Sequence, residues 1–256
     1  MQRQKFLEIL TTVRPALAAN DLVPVLTHLW FADGRVLACT DATAISAPCD
    51  VGFSGAVSGA ILLSALLASG AKEVEFVPTE QEVLVKAGGS RIKLPLLPVD
   101  KFPFDMPEMP KNAATLPANS SEFVAGVESC LRSVSRDTSV PDQLGVTVIP
   151  GKKNLMLYST NGATISHVAV PLVAGKQGLT RRVVLPAQFC EQLVRLARQD
   201  KKCELAVTED CALLATSDGV MLYGKLVEVD RPLDFAAQVK DSTPEGFNQA
   251  LVEMPK

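Results

Sequence analysis

Few side chains in this 256-residue chain could do covalent chemistry. The two histidines, His28 and His167, could join Asp41 and a serine in a Ser/His/Asp relay, but neither a GxSxG elbow nor an HExxH helix accompanies them. His28 lies in an apolar run and reads as an ordinary strand residue. The six cysteines, Cys39, Cys49, Cys130, Cys190, Cys203 and Cys211, are spread without a CxxC pair. Cys203 and Cys211 lack the second ligand pair that a zinc site needs, so all six read as small buried hydrophobes. No GxxxxGK[ST] and no GxGxxG occurs, and neither a catalytic site nor a metal or cofactor is expected. What remains is charge. Arg132 and Arg136 stand four apart, the spacing that puts two side chains on one helix face. Arg195, Arg198, Lys201 and Lys202 form a second basic group, and Lys5, Arg14 and Lys72 are scattered through the first third of the chain. Taken alone, these are solvated charged faces.

Composition narrows the class. With 47% apolar and 21% charged residues, disorder, a collagen-like chain and a disulfide-held mini-protein are excluded. A balance of 25 Lys and Arg against 28 Asp and Glu, net −3, means that any nucleic-acid binding must come from a local basic surface. The opening MQRQKFLEIL has no apolar secretory core, and with unpaired cysteines this points to the reducing cytoplasm. Residues 51–71 carry no charge and are long enough to cross a bilayer, but Gly52, Gly55, Gly59, Gly70 and four serines interrupt them. They read as a soluble segment holding a shorter helix near Ser58 to Ala68. The Asn119-Ser120-Ser121 sequon has no meaning without export.

The elements that carry these residues recur. Phe6, Leu10, Val13 and Leu17 repeat at helical spacing. After Asn20-Asp21, strands are expected over Val23 to Phe31 and Arg35 to Thr40 around an Ala32-Asp33-Gly34 turn, with a third through Ile45. The helix near Ser58 to Ala68 follows, then strands over Val74 to Val77, Val83 to Lys86 and Ile92 to Leu96. From about residue 117 the order returns. Phe123, Val127, Leu131 and Val134 predict a helix, Leu144 to Ile149 and Leu155 to Ser159 predict strands, and Phe189, Leu193, Leu196 and Ala197 predict a second helix behind Pro186. Cys203 to Val207, Ala212 to Thr216 and Val220 to Val227 close the unit. TDATAIS (40–46) faces TNGATIS (160–166), aligning Ile45 with Ile165 and Ser46 with Ser166. Val23-Pro24 faces Val140-Pro141, and Asp100-Lys101-Phe102-Pro103 faces Val229-Asp230-Arg231-Pro232. The chain reads as an α+β internal duplication, with domains at 1–116 and 117–240 joined by an extended linker over 106–121.

The duplicated helix followed by Val-Pro, the Thr40-Asp41 and Thr160-Asn161-Gly162 turns, KLPLLPVDKFP (93–103) and KLVEVDRPLDF (225–235) together resemble a DNA polymerase sliding clamp, closest to the bacterial beta type, phage or bacterial in origin. The resemblance covers about residues 5–240. It implies a non-enzymatic ring of like domains, with strands outside and helices lining a channel for duplex DNA, acting as a replication processivity factor.

By that resemblance, Arg132, Arg136, Arg195, Arg198, Lys201, Lys202, Lys5, Arg14 and Lys72 face DNA without reading its sequence. The helix near Ser58 to Ala68 departs from the pattern, since it holds no basic residue. Polymerase and clamp loader are expected to dock short peptides on Leu144, Thr160, Gly162, Ile165 and Pro232. Bacterial clamps of this type carry three domains per chain and close as dimers, whereas two-domain clamps close as trimers, so two copies imply a head-to-tail homotrimer. PEGFNQALVEM (244–254) resembles the opening of a third helix, so residues 241–256 are a tail or the start of a third repeat. The uncharged helix and this fragment motivate an alternative, a truncated or decoy module that binds clamp partners without encircling DNA.

Overall fold

The computed structural model describes residues 1–18, 23–98, 104–111, 113–172, 178–230 and 232–242. The Asn20-Asp21 break, the motif residues 100–103, Arg231 and the 244–254 fragment lie outside the described residues.

The order of elements repeats. The first half runs α1 (Arg3–Val13), β1 (His28–Ala32), β2 (Arg35–Cys39), β3 (Thr43–Pro48), β4 (Gly55–Ser58), α2 (Gly59–Ala68), β5 (Glu75–Pro78), β6 (Glu82–Ala87) and β7 (Ser90–Pro95). The second half begins with β8 (Ala114–Leu116), α3 (Ser121–Leu131), β9 (Gly145–Pro150), β10 (Asn154–Thr160), β11 (Ile165–Pro171) and β12 (Val183–Pro186). It continues with α4 (Ala187–Gln199), β13 (Glu204–Val207), β14 (Cys211–Ala215) and β15 (Met221–Lys225), and α5 (Phe235–Ser242) follows. All strand pairs are antiparallel, as an α+β fold requires.

Three sheets result: an eight-stranded one in the order β4-β1-β2-β3-β15-β14-β13-β8, a four-stranded β11-β10-β9-β12, and a three-stranded β5-β6-β7. The first crosses from one half to the other where β3 meets β15. There Ile45 stands opposite Leu222, both fully buried. Gly224, close to this pair on β15, has no room for a side chain, because a Cβ would lie 2.5 Å from the Phe189 ring of α4. One apolar cluster runs through the seam, from Phe6, Leu10 and Phe31 to Phe123, Phe189 and Leu222. A second covers the opposite face of β1–β3, where Trp30 and Leu37 are met by Phe104, Met106 and Tyr223.

Local chemistry explains most boundaries and several departures from expectation. Asp33 (φ 51°) and Gly34 (φ 69°) are both left-handed, the two-residue hairpin turn that Asp-Gly favours. The expected strand from Val23 begins only at His28, because Pro24–Thr27 forms a one-turn 3-10 helix. Likewise α1 ends at Val13, where Pro15 enters a 3-10 turn. Helix α3 stops at Leu131 rather than continuing past Val134. Ser133 and Ser135 turn their hydroxyls to Ser166 Oγ and the Asp137 amide instead, the local competition that disfavours helix. The linker is not merely extended: Ala114–Leu116 pairs with β13 as β8.

The strand registers shift the repeat by one residue from the sequence match. Ala47 pairs with Val36 as Val168 pairs with Leu157, and Thr40 N donates to Thr43 O as Asn161 N donates to Thr164 O. Ile45 therefore corresponds to Ser166, and Ile165 lies on the other sheet face. Strands β11 and β12 were not legible as separate runs.

All six cysteines are free; five are buried and Cys211 half-buried. Burial raises the thiols of Cys49 and Cys130 to about 11, and that of Cys190 further. Among the described residues, no helix is long and apolar enough to cross a membrane. Thr147 on β9 buries a hydroxyl that has no hydrogen-bond partner. Thr147→Val keeps the shape and removes that penalty, so urea unfolding should show a gain of about 1 kcal/mol.

Candidate functional site

The nine cations expected to face DNA have different fates. Helices α1 and α2 pack together, as do α3 and α4, and α1, α3 and α4 lie against the strands. Lys5 on α1, Arg14 beyond its end and Lys72 after α2 are exposed or half-exposed. Arg3, which the sequence did not single out, donates to Ala71 O at 2.7 Å and Leu66 O at 2.9 Å, placing a cation on the carbonyl end of α2. Arg132 caps α3, but Arg136 stands beyond it in the serine-rich turn, so the two do not share a helix face.

On α4, Arg195 is half-buried. Its guanidinium donates to Gln192 Oε1 and to Thr12 O of α1, both at 2.8 Å, and burial lowers its pKa. Its hydrogen bonds hold the two halves together, which corrects its assignment as an open DNA contact. Arg198 pairs with Glu128 of α3 at a solvent-exposed position, where such a pair contributes little stability. Lys201 and Lys202 are exposed in the turn after α4. Beside them Asp200 accepts from the Ser217 and Lys202 amides, which hold its carboxyl below the usual range as a fixed negative charge. Among the described residues no ion pair occupies Lys5, Arg14, Lys72, Arg132, Arg136, Lys201 or Lys202.

The expected docking residues separate into two adjoining hollows. A groove of about 1110 Å³ at the seam is lined by Asp41 and Ala42 of the β2–β3 turn, by Leu144 and by Leu226. Arg132 and Arg136 line it too, so residues assigned to DNA and to partners meet in one place. Pro232 instead lines a hollow of about 510 Å³ with Arg181 and Asp210; Leu226 to Glu228 form the wall between them. Leu144 follows the 3-10 turn Pro141–Gln143 rather than lying on a strand. Thr160 is buried, and its hydroxyl closes the turn by donating to Thr164 O at 2.8 Å and accepting from Gly162 N at 3.1 Å. Gly162 (φ 86°) is exposed beside Gln143, and Ile165 is half-buried at the start of β11.

An anchor that the sequence did not disclose joins these pieces. The buried Asp142 carboxylate pairs with Arg182 and accepts from Leu233 N at 2.6 Å, while Arg182 also donates to Leu233 O at 2.8 Å. Phe235 is 1% exposed and stacks on Tyr158 at 5.1 Å, with the Arg182 guanidinium 5.2 Å from its ring centre. Burial, then the Asp234 charge, raises the Tyr158 phenol. Residues 232–235 are thereby fixed next to Leu144. The partners lie 40 and 91 positions apart, so no local pattern marks them. The surface offers apolar hollows with charged rims, suited to binding.

This arrangement has solved counterparts. The beta subunit of DNA polymerase from Streptococcus pyogenes superposes with a TM-score of 0.78 at 17% identity, covering 91% of this chain. The fold is of the bacterial beta-clamp type. The Bacillus subtilis DNA polymerase sliding clamp (TM-score 0.78, 16% identity, 92% of this chain) and the Caulobacter crescentus beta sliding clamp (0.78, 18%, 93%) match equally well. The chain spans 65%, 66% and 66% of the lengths of these three clamps. No family model and no curated protein matches the sequence. At such identity the clamp fold is carried by the sheet order and by its buried positions.

Asp142→Ala would strand the half-buried Arg182 and release Leu233. Breaking such a pair costs about 3 kcal/mol, read as a lower urea midpoint, and Phe235→Ala should cost a similar amount.

Proposed function

We propose that this chain is a sliding clamp that tethers a replicative polymerase to duplex DNA in the cytoplasm, built from clamp domains at 1–116 and 117–240, with 241–256 as a tail or the start of a third repeat. The supporting observation is the eight-stranded sheet that runs unbroken from one half into the other with helices packed against its strands, in a fold shared with bacterial beta clamps. A tether of this kind needs no catalytic group. It needs a closed ring, a weak attraction for phosphate and a place for partners to hold.

Lys5, Arg14, Lys72, Arg132, Arg136, Lys201 and Lys202 supply the attraction, with Arg198 contributing through its exposed guanidinium. Long, solvated side chains suit sliding, because they neutralise phosphates without fixing a register on the bases. Partner peptides of polymerase and loader anchor apolar side chains against Leu144 and Pro232, beside the Gly162 and Ile165 turn that Thr160 closes. Two domains per chain make the ring a head-to-tail homotrimer of 27.3 kDa chains. The uncharged α2 keeps a second reading in play, a decoy that binds the same peptides without encircling DNA.

Retention on closed circular DNA, lost once that DNA is linearised, is the expected behaviour of the clamp. Equal retention on both forms would exclude sliding, and peptide binding without any retention would identify the decoy. Replacing Lys201 and Lys202 by Gln should flatten the salt dependence of DNA binding by about 0.9 in log–log slope for each phosphate that is no longer neutralised.

A further inference from the structure

The seam between the halves is a template for a second one. There β3 and β15 pair with Ser46 opposite Met221, Ile45 opposite Leu222, Ala44 opposite Tyr223 and Thr43 opposite Gly224. Helix α4 supports the pairing by reaching Thr12 O through Arg195 and Thr43 Oγ1 through Gln188. Each of these elements has a counterpart. Strand β11, the counterpart of β3, is the outer strand of its sheet, and β7, the counterpart of β15, is the outer strand of another. Helix α2, the counterpart of α4, leaves Ile61 51% and Leu67 66% exposed.

The registers fix which residues correspond. Lys86 pairs with Arg91 as Ala215 pairs with Met221, so Arg91, Ile92, Lys93 and Leu94 take the places of Met221 to Gly224. Thr164, Ile165, Ser166 and His167 take those of Thr43 to Ser46. We propose that β11 of one copy pairs with β7 of a second copy in this register, with the apolar face of α2 beside the join, and that acid opens the join by charging His167 opposite the partner's Arg91. This rests on the ring reading above and names the surface that closes the ring.

On the core side, Ser166 meets Ile92 and Thr164 meets Leu94. On the other face, Ile165 meets Lys93 and His167 meets Arg91. Around His167, its own sheet contributes Tyr158, with ring centres 6.1 Å apart; Phe235 stacks on Tyr158, and Asp234 and Arg182 stand with them. The joining strand brings Arg91 and, diagonally, Lys93. Arg91 has Lys86 opposite on β6, paired with Glu75 at 3.2 Å. A neutral imidazole can accept from the Arg91 guanidinium, whereas an imidazolium meets two cations. Histidine gains its proton between about pH 8 and pH 5, and like charges facing across strands weaken the pairing. The same arrangement accounts for the missing basic residues of α2: its outer face is made for a protein neighbour.

Sedimentation velocity over a concentration series, at about pH 7.5 and about pH 5.5 and one ionic strength, tests the proposal, with association expected to be roughly tenfold weaker in acid. His167→Gln and Arg91→Gln should each remove that difference. In parallel, Ile92→Cys with Ser166→Cys should give covalent multimers on mild oxidation, while Lys93→Cys with Ser166→Cys, on opposite faces, should not. A trimer that is indifferent to pH and does not cross-link through 92 and 166 overturns this join and leaves the ring reading standing. A monomer under every condition overturns both.

Discussion

The structure depends on an antiparallel seam only a few residues long. Where β3 meets β15, main-chain hydrogen bonds carry one sheet from the first half into the second, and Ile45 and Leu222 close the core beneath them. Each main-chain bond contributes only about 1 kcal/mol net, while burying a large aliphatic side chain contributes about 1.5–3 kcal/mol. Apolar burial therefore supplies most of the strength, and the hydrogen bonds supply the register. Arg195 and Gln188 of α4 and Phe104 packed on Tyr223 brace the seam from its two faces. Because the seam is built from edge strands, it also determines where unpaired edges remain.

The same geometry shapes the candidate surfaces. The largest groove lies at the seam because a turn of one half and the end of β15 approach without filling the space between them. Its neighbour around Pro232 exists because Asp142 and Arg182 draw the chain after β15 back across the second half. Electrostatics divides the cations accordingly. Arg195 is engaged by Thr12 and Arg182 by Asp142, both in structural roles, whereas the cations at helix ends and turns keep their charge in solvent, where screening makes attraction weak and general.

Much of this was legible in one dimension. Helical spacing located all four long helices, and the Asp33-Gly34 signal marked the first hairpin. The repeated order of elements and the Thr40 and Thr160 turns pointed to the clamp architecture. What failed did so for identifiable reasons. Matching TDATAIS to TNGATIS by identity put Ile45 on Ile165, but a strand reverses faces with every residue, so a slip of one exchanges core for surface. Arg132 and Arg136 looked like a helical pair only while α3 was assumed to continue through Ser133 and Ser135.

The sequence alone determined the class of fold, its duplication and the absence of charge on α2, because these depend on periodicity and composition within short windows. Only the tertiary structure decided that β3 joins β15, that Arg195 binds across the halves, and that Asp142, Arg182 and Phe235 form one anchor. Those partners stand as far apart in the chain as Asp142 from Arg182 and Thr12 from Arg195, and no local pattern records a pairing made by the folding of the whole chain.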